Sequence, residues 1–321
     1  MITTIDLNYS QKIYPLISQE LVDLITKTLE EKKRVLVFLN RRGESSALIC
    51  KDCGYHVKCS DCDITLHVHK YPSPILICHQ CNRTEDIPNI CPKCKGANLI
   101  QVGIGIQKME DNLAKIFPTY KINRLDSDKI KKEGIFIDDV KNSDIIIATE
   151  IANTLSFDNL GLIVFPLFEA EMLSGEYNIE EKIYINIAYN SKRGADILIQ
   201  TYTPNNRILQ IITEGNYKDF LIETLAERKK FLYPPYSDFV YIWIKGKNKD
   251  RVTELLGKFA NKLSIMNEGG DKIISFDKNN FIKKFGEFYQ KIMVRGVNIQ
   301  EFLEPMKLEI IRNREIEMEW K

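Results

Sequence analysis

Eight cysteines fall within the 45 residues from Cys50 to Cys94, and they come as four C-x-x-C pairs separated by five, fifteen and nine residues. Two residues between cysteines let one tight turn present two thiolates to a single ion, and a second such pair completes a tetrahedral S4 site. Eight ligands divide into two sites. The segment is too short to build its own apolar core, so metal binding must supply its folding free energy. A catalytic zinc keeps an open position, and a full set of cysteines leaves none. Two structural zinc ions are therefore expected. The alternative is a redox or disulfide set.

Spacing alone leaves the pairing open. A nested scheme joins Cys59/Cys62 to Cys78/Cys81, and Cys50/Cys53 to Cys91/Cys94. Spacing does not exclude an interleaved scheme. All four histidines (His56, His67, His69 and His79) lie in or beside the cluster, but eight thiolates already fill two sites.

The zinc reading requires reduced thiols, as in the cytosol. The N-terminus, MITTIDLNYSQKIYP, has no basic region followed by an apolar stretch, so it does not read as a signal peptide. No run of about 18 apolar residues occurs, so no membrane helix is expected. A cytoplasmic protein without membrane partners follows as the expectation. The formal net charge is +1, but it is unevenly spread: residues 228–295 hold 15 Lys/Arg against 7 Asp/Glu, and residues 95–227 hold 14 against 20. A basic C-terminal region beside an acidic middle suits contact with a polyanion such as nucleic acid. Ordinary solvated lysines would give the same count.

Outside the cysteines the pattern is α/β. Ile17 to Lys32 reads as an amphipathic helix with Leu21, Leu24, Ile25 and Leu29 on one face. VLVFLN, from Val35, is a continuous apolar run of the kind buried in parallel sheets. After the zinc segment come a strand at NLIQVGIG and a helix from Ile106 to Phe117. Strands follow at Lys121–Leu125, Ile145–Thr149, Leu162–Leu167 and Asp196–Thr201, with a helix at Glu180–Tyr189. This alternation predicts an open, largely parallel sheet. Residues 206–230 read as mostly helical, up to Pro234-Pro235, which cannot continue a helix. Beyond lie a strand at Phe239–Lys245, a helix at Arg251–Met266, a strand at Lys291–Val294, a helical stretch at Val297–Leu308 and a short last strand ending at Trp320. That order describes an α+β module, with a boundary near Tyr233.

At this point the residues resemble a known family. VLVFLNRRG (Val35 to Gly43) followed by four C-x-x-C pairs, then GIGIQKMEDNLAKIFP and LAERKKFLYPPYSDFVYI, are similar to PriA, the replication-restart helicases also called primosomal protein N-prime. The similarity extends from about Ile5 onward. It implies a RecA-like second helicase lobe (1–49 and 95–232), a two-zinc insertion (50–94) and an α+β C-terminal domain (233–321). It also implies the nested pairing: Cys50, Cys53, Cys91 and Cys94 on one zinc, and Cys59, Cys62, Cys78 and Cys81 on the other.

The departures point away from catalysis. No G-x-x-x-x-G-K-[ST] loop is found, so nothing here cradles ATP phosphates, and the family's first lobe and N-terminal DNA-binding region are not seen in this sequence. The family's A-K-G-H-x-F signature reads ATEIANTLSF here (Ala148 to Phe157). Its Q-x-A-G-R-A-G-R helix aligns with Ile183 to Asn190, so Ile187 and Asn190 stand where arginine fingers would be. Arginine fingers neutralise charge on a transferring phosphoryl group, and neither residue can do so. No ATP cofactor, no catalytic residue and no ATPase activity of the isolated chain are expected. The expected partners are single-stranded or branched DNA and primosome or single-strand-binding proteins. The rival expectation is the second half of a split helicase, completed by a separate P-loop lobe.

Several residues are DNA-binding candidates. Arg41 and Arg42 follow a buried strand on a turn. Lys283 and Lys284 are interleaved with Phe281, Phe285, Phe288 and Tyr289, which joins phosphate-neutralising charge to base-stacking surface. Tyr233 and Tyr236 flank Pro234-Pro235 and read either as an aromatic platform or as a rigid boundary turn packed on its neighbour, the latter favoured. Lys245, Lys247, Lys249 and Arg251 form a basic run. Glu169 and Glu171 follow an apolar strand with no nucleophile or metal-binding histidine beside them, and read as structural or surface carboxylates.

Overall fold

A computed structural model describes residues 1–321 except 40–45, 70–72, 82, 103–105, 126–139, 141, 175, 277–280 and 285. The chain forms two compact units. The first comprises 1–57, 65–76 and 86–216, and the second 58–64, 77–85 and 217–321. The cysteine-rich segment is divided between the two units.

The first unit is built on six parallel strands in the spatial order Ile2–Asp6, Asp196–Thr201, Leu160–Phe165, Arg34–Phe38, Ile145–Ala148 and Ile122–Leu125. The four inner strands are nearly continuous apolar runs because both sheet faces are covered. Phe38 and Phe165 stack with centroids 5.1 Å apart. The first helix, Gln19–Glu30, starts later than its apolar pattern suggests, because Ser18 caps it by accepting the Leu21 N–H. Its face of Leu21, Ile25 and Leu29 joins Val35, Val37, Ile145 and Ile147 in one core. The edge strand Ile2–Asp6 pairs with Asp196–Thr201. Ser46–Cys50 pairs antiparallel with Leu99–Val102, bringing the two ends of the cysteine segment together.

The second unit carries an antiparallel sheet in which Glu287–Gly296 pairs with Asp238–Gly246, and that strand pairs in turn with Ile316–Trp320. Its two faces differ, as expected of a period of two. Val240, Ile242, Ile244, Ile292 and Val294 pack against Val252, Leu256, Phe259 and Leu263 of the helix Lys249–Met266. On the opposite face Phe239, Tyr241 and Trp243 form an aromatic row with centroids 4.9 and 5.9 Å apart. The helix Tyr217–Lys230 belongs to this unit, so the division falls between Asn216 and Tyr217, ahead of Tyr233. No helix among the described residues is long and apolar enough to cross a membrane.

Candidate metal centres

The four C-x-x-C pairs are built alike. In each, the N–H of the first cysteine donates to the carbonyl five residues on: Cys50 to Tyr55, Cys59 to Ile64, Cys78 to Arg83 and Cys91 to Gly96, at 2.8–2.9 Å. In three of them the residue after the second cysteine returns its N–H to the first cysteine's carbonyl, at Gly54, Asp63 and Lys95. Those three residues are left-handed, with φ of 72°, 54° and 65°. Gly54 has a second reason to be glycine, since a Cβ there would meet Thr203 Cβ at 3.2 Å. The corresponding residue of the fourth pair, Asn82, lies outside the described residues.

These turns gather the sulfurs into two sets, Cys50, Cys53, Cys91 and Cys94 in the first unit and Cys59, Cys62, Cys78 and Cys81 in the second; within each set the sulfurs lie within 4.8 Å of one another. A tetrahedron with metal–sulfur bonds of about 2.3 Å has edges of about 3.8 Å. The measured edges include 3.6 Å for Cys50–Cys94, 3.8 Å for Cys53–Cys91 and 3.6 Å for Cys59–Cys81. The donor sets fit tetrathiolate coordination of a divalent ion. No histidine belongs to either set; burial holds His67 near 4, below its ordinary range.

The electrostatics agree with this. Burial pushes the Cys50 thiol up to about 12. Contact with the thiols of Cys62 and Cys78 holds Cys59 down to about 7, whereas Cys62 is driven upward by Cys59 and Cys78. Sulfurs this close cannot all ionise unless a cation shares their charge.

Beyond the sulfurs, both sets use an aspartate at the same place in their first turn. Asp52 accepts a 2.6 Å bond from Asn98, and Asp61 accepts two bonds from Arg83 at 3.0 and 2.9 Å. The surroundings otherwise differ. Cys94 is exposed, and the Asp52 carboxylate lies 3.8 Å from the Cys50 sulfur. At the second set, Tyr233 donates its hydroxyl to the Cys62 carbonyl and accepts from Gln80. Tyr233 is 3% exposed, so it packs in the unit and offers no open stacking platform, whereas Tyr236 is exposed. Arg295 donates to the Asp61 carbonyl and lies 3.7 Å from the Cys62 sulfur. Neither Arg295 nor Gln80 was singled out from the sequence, where the predicted strand ended at Val294.

The other candidates fall in various places. Arg41 and Arg42 lie outside the described residues. Lys283 sits on Ile282–Lys284, opposite Phe288, with its ammonium 5.6 Å from that ring. Lys249 lies 5.2 and 5.1 Å from the rings of Phe281 and Phe288. These form one cationic and aromatic patch. Of Lys284 the backbone alone is described, and Phe285 is outside the described residues. In the basic run, Lys245 pairs with Glu317 and Arg251 with Glu315, so two of its four charges are neutralised locally.

Glu169 and Glu171 are buried, not on the surface. Glu169 Oε1 accepts from the Thr201 and Thr203 hydroxyls and the Tyr202 N–H at 2.6–2.9 Å, and burial raises its carboxyl above the usual range.

The stretch Ala148–Phe157 and the helix Ile179–Ser191 meet through amides. Asn153 donates to Asn186 at 2.7 Å, and Asn190 donates to both Asn153 and Asn186 at 3.0 Å. Ile187 and Asn190 are fully buried. Arg193 donates to the carbonyls of Ala152 and Leu155 and lies 5.2 Å from the Tyr189 ring. The arginine at the end of this helix is therefore spent on holding backbone.

No protein-family model matches the chain. Three curated relatives, each a replication restart protein PriA, align with it. That of Borreliella burgdorferi is 32% identical over 77% of this chain and 39% of its own length. That of Bacillus subtilis is 27% identical over 95% and 39%, and that of Thermotoga maritima 28% identical over 94% and 41%. The chain thus spans about two fifths of the length of the curated relatives it matches. With a parallel α/β sheet, two tetracysteine sets and similarity along most of its residues, the chain belongs to the PriA family of replication restart proteins.

Proposed function

We propose that the chain is a zinc-stabilised, PriA-like replication-restart module that binds DNA or primosome components without hydrolysing ATP. The names of its relatives support the restart role. The tetrathiolate geometry supports zinc, since four thiolates at tetrahedral spacing are one of its structural donor sets. In this reading the eight cysteines hold two ions, which supply fixed shape and no chemistry.

One observation carries the non-catalytic part. Ile187 is fully buried and uncharged, and Asn190 is buried in an amide network, so neither offers a cation to a phosphoryl group, and Arg193 is committed to carbonyls. The patch of Lys249, Lys283, Phe281 and Phe288 supplies the proposed DNA contact. Lysine neutralises phosphate, and half-buried rings next to it accept a base by stacking.

Anisotropy titration of the chain with single-stranded and forked DNA at two salt concentrations tests the reading. Salt-sensitive binding is expected. Lys283→Glu should weaken it several-fold and lower the salt slope by about one. DNA-stimulated ATP turnover above background, alone or with an added P-loop lobe, would instead favour the split helicase.

A further inference from the structure

We propose that Arg295 is the charge partner of a metal centre at Cys59, Cys62, Cys78 and Cys81, and that with Tyr233 it makes this centre the keystone of the C-terminal unit. The inference rests on the zinc reading above.

Arg295 lies near the end of the strand Glu287–Gly296, opposite Phe239, and is 0% exposed. Its guanidinium lies 4.6 Å from the Tyr233 ring. One nitrogen, Nη2, reaches the Asp61 carbonyl and the Cys62 sulfur. Nε and Nη1 have no hydrogen-bond partner, and no carboxylate pairs with the group among the described residues. A fully buried cation without a counter-ion is strongly disfavoured. Four thiolates around a divalent cation carry a net double negative charge, and one of these sulfurs, that of Cys62, is 3.7 Å away. The metal-loaded centre is thus the anion that Arg295 otherwise lacks.

Tyr233 completes the link. Its hydroxyl donates to the Cys62 carbonyl at 2.8 Å and accepts from Gln80 Nε2 at 2.7 Å. Cys62 and Gln80 belong to the two different cysteine turns of this set, so one phenol ties both together. Its ring meets Phe239 at 5.9 Å, which joins the turns to the sheet. Groups that orient metal ligands typically change metal affinity about 10- to 100-fold when removed. Among the described residues, the charged side chain placed against a sulfur of the set in the first unit is a carboxylate, Asp52, and no arginine or lysine takes that position.

The test uses the full chain, loaded with zinc, as wild type, Arg295→Met and Tyr233→Phe. Zinc release to a chromophoric chelator is followed together with residue-resolved hydrogen exchange. Wild type should release two equivalents. In Arg295→Met one equivalent should leave about tenfold faster or more, the other unchanged, and exchange should rise in Asp238–Gly246 and Glu287–Gly296 but not in Arg34–Phe38. Tyr233→Phe, which keeps the ring and the guanidinium, should shift the same equivalent by a smaller factor and decides the matter if Arg295→Met does not fold. Both variants releasing both equivalents at wild-type rates, or shifting both equally, would overturn the inference while leaving the zinc reading intact. Wild type that takes up no zinc would remove both.

Discussion

The two cysteine sets share one local design and differ in everything around it. Each repeats the same turn, the same cross-turn bond and the same aspartate. Yet one set has an exposed Cys94 and a carboxylate beside Cys50, while the other is tied to a buried arginine and tyrosine. The sets also lie in different units, one with the parallel sheet and one with the antiparallel sheet. A repeat in sequence therefore need not be a repeat in role. The turn supplies the donor sulfurs for a metal, and under the zinc proposal the surroundings decide which part of the chain would depend on it.

The largest test of this contrast is to remove one ligand from each set. Cys91→Ser and Cys78→Ser should each lose one zinc equivalent. Apparent binding free energy for such sites is roughly 10–16 kcal/mol, so the local fold should fail with the metal. Cys78→Ser should raise hydrogen exchange in the C-terminal sheet, and Cys91→Ser in Ser46–Cys50 and Leu99–Val102. Equal loosening of both units in both variants would break the comparison.

A smaller effect is expected at the amide network of the first unit. Asn190→Leu removes the donor to Asn153 Oδ1, while Asn186 Oδ1 keeps the bond from Asn153, and the unmet oxygen costs about 1–3 kcal/mol. Chemical denaturation should show the loss, and exchange in Asp238–Gly246 should stay at its wild-type level. It should not create ATP turnover.

The smallest effect concerns Glu169. Burial raises its carboxyl in the folded unit, so the folded state keeps a proton that the unfolded chain has already lost. Its contribution to stability is present at low pH and declines as pH rises through the raised value. Glutamine cannot ionise, and its carbonyl can accept the same three bonds. Glu169→Gln should gain stability relative to wild type as pH rises above the usual carboxylate range, read as a widening gap in denaturant midpoints. A gap that narrows would contradict this assignment.

Much of this was legible from the residues. The apolar runs at Val35, Ile145, Leu162 and Asp196 lie in the parallel sheet because both faces are covered, and a continuous run is the signature of such a strand. The helices at Ile106 and Arg251 follow their 3.6-residue pattern. The edge strand Ile2–Asp6 was missed, since its alternation of Ile and Thr is short and sits at the chain's start. Pairing of the cysteine turns was open on spacing, because four equal turns carry no label; the folded chain brings the outer two together through Ser46–Cys50 and Leu99–Val102. Arg295 was illegible because its meaning depends on a sulfur 233 residues away in sequence. Tyr233 had a sequence signal, the Y-P-P-Y boundary, but its hydroxyl's task did not.

The most direct measurement is the zinc content of the full chain purified without added metal, combined with intact mass under denaturing conditions. Two zinc ions per chain and eight free thiols are expected. Negligible zinc, or a mass showing cysteines joined as disulfides, would contradict the zinc proposal.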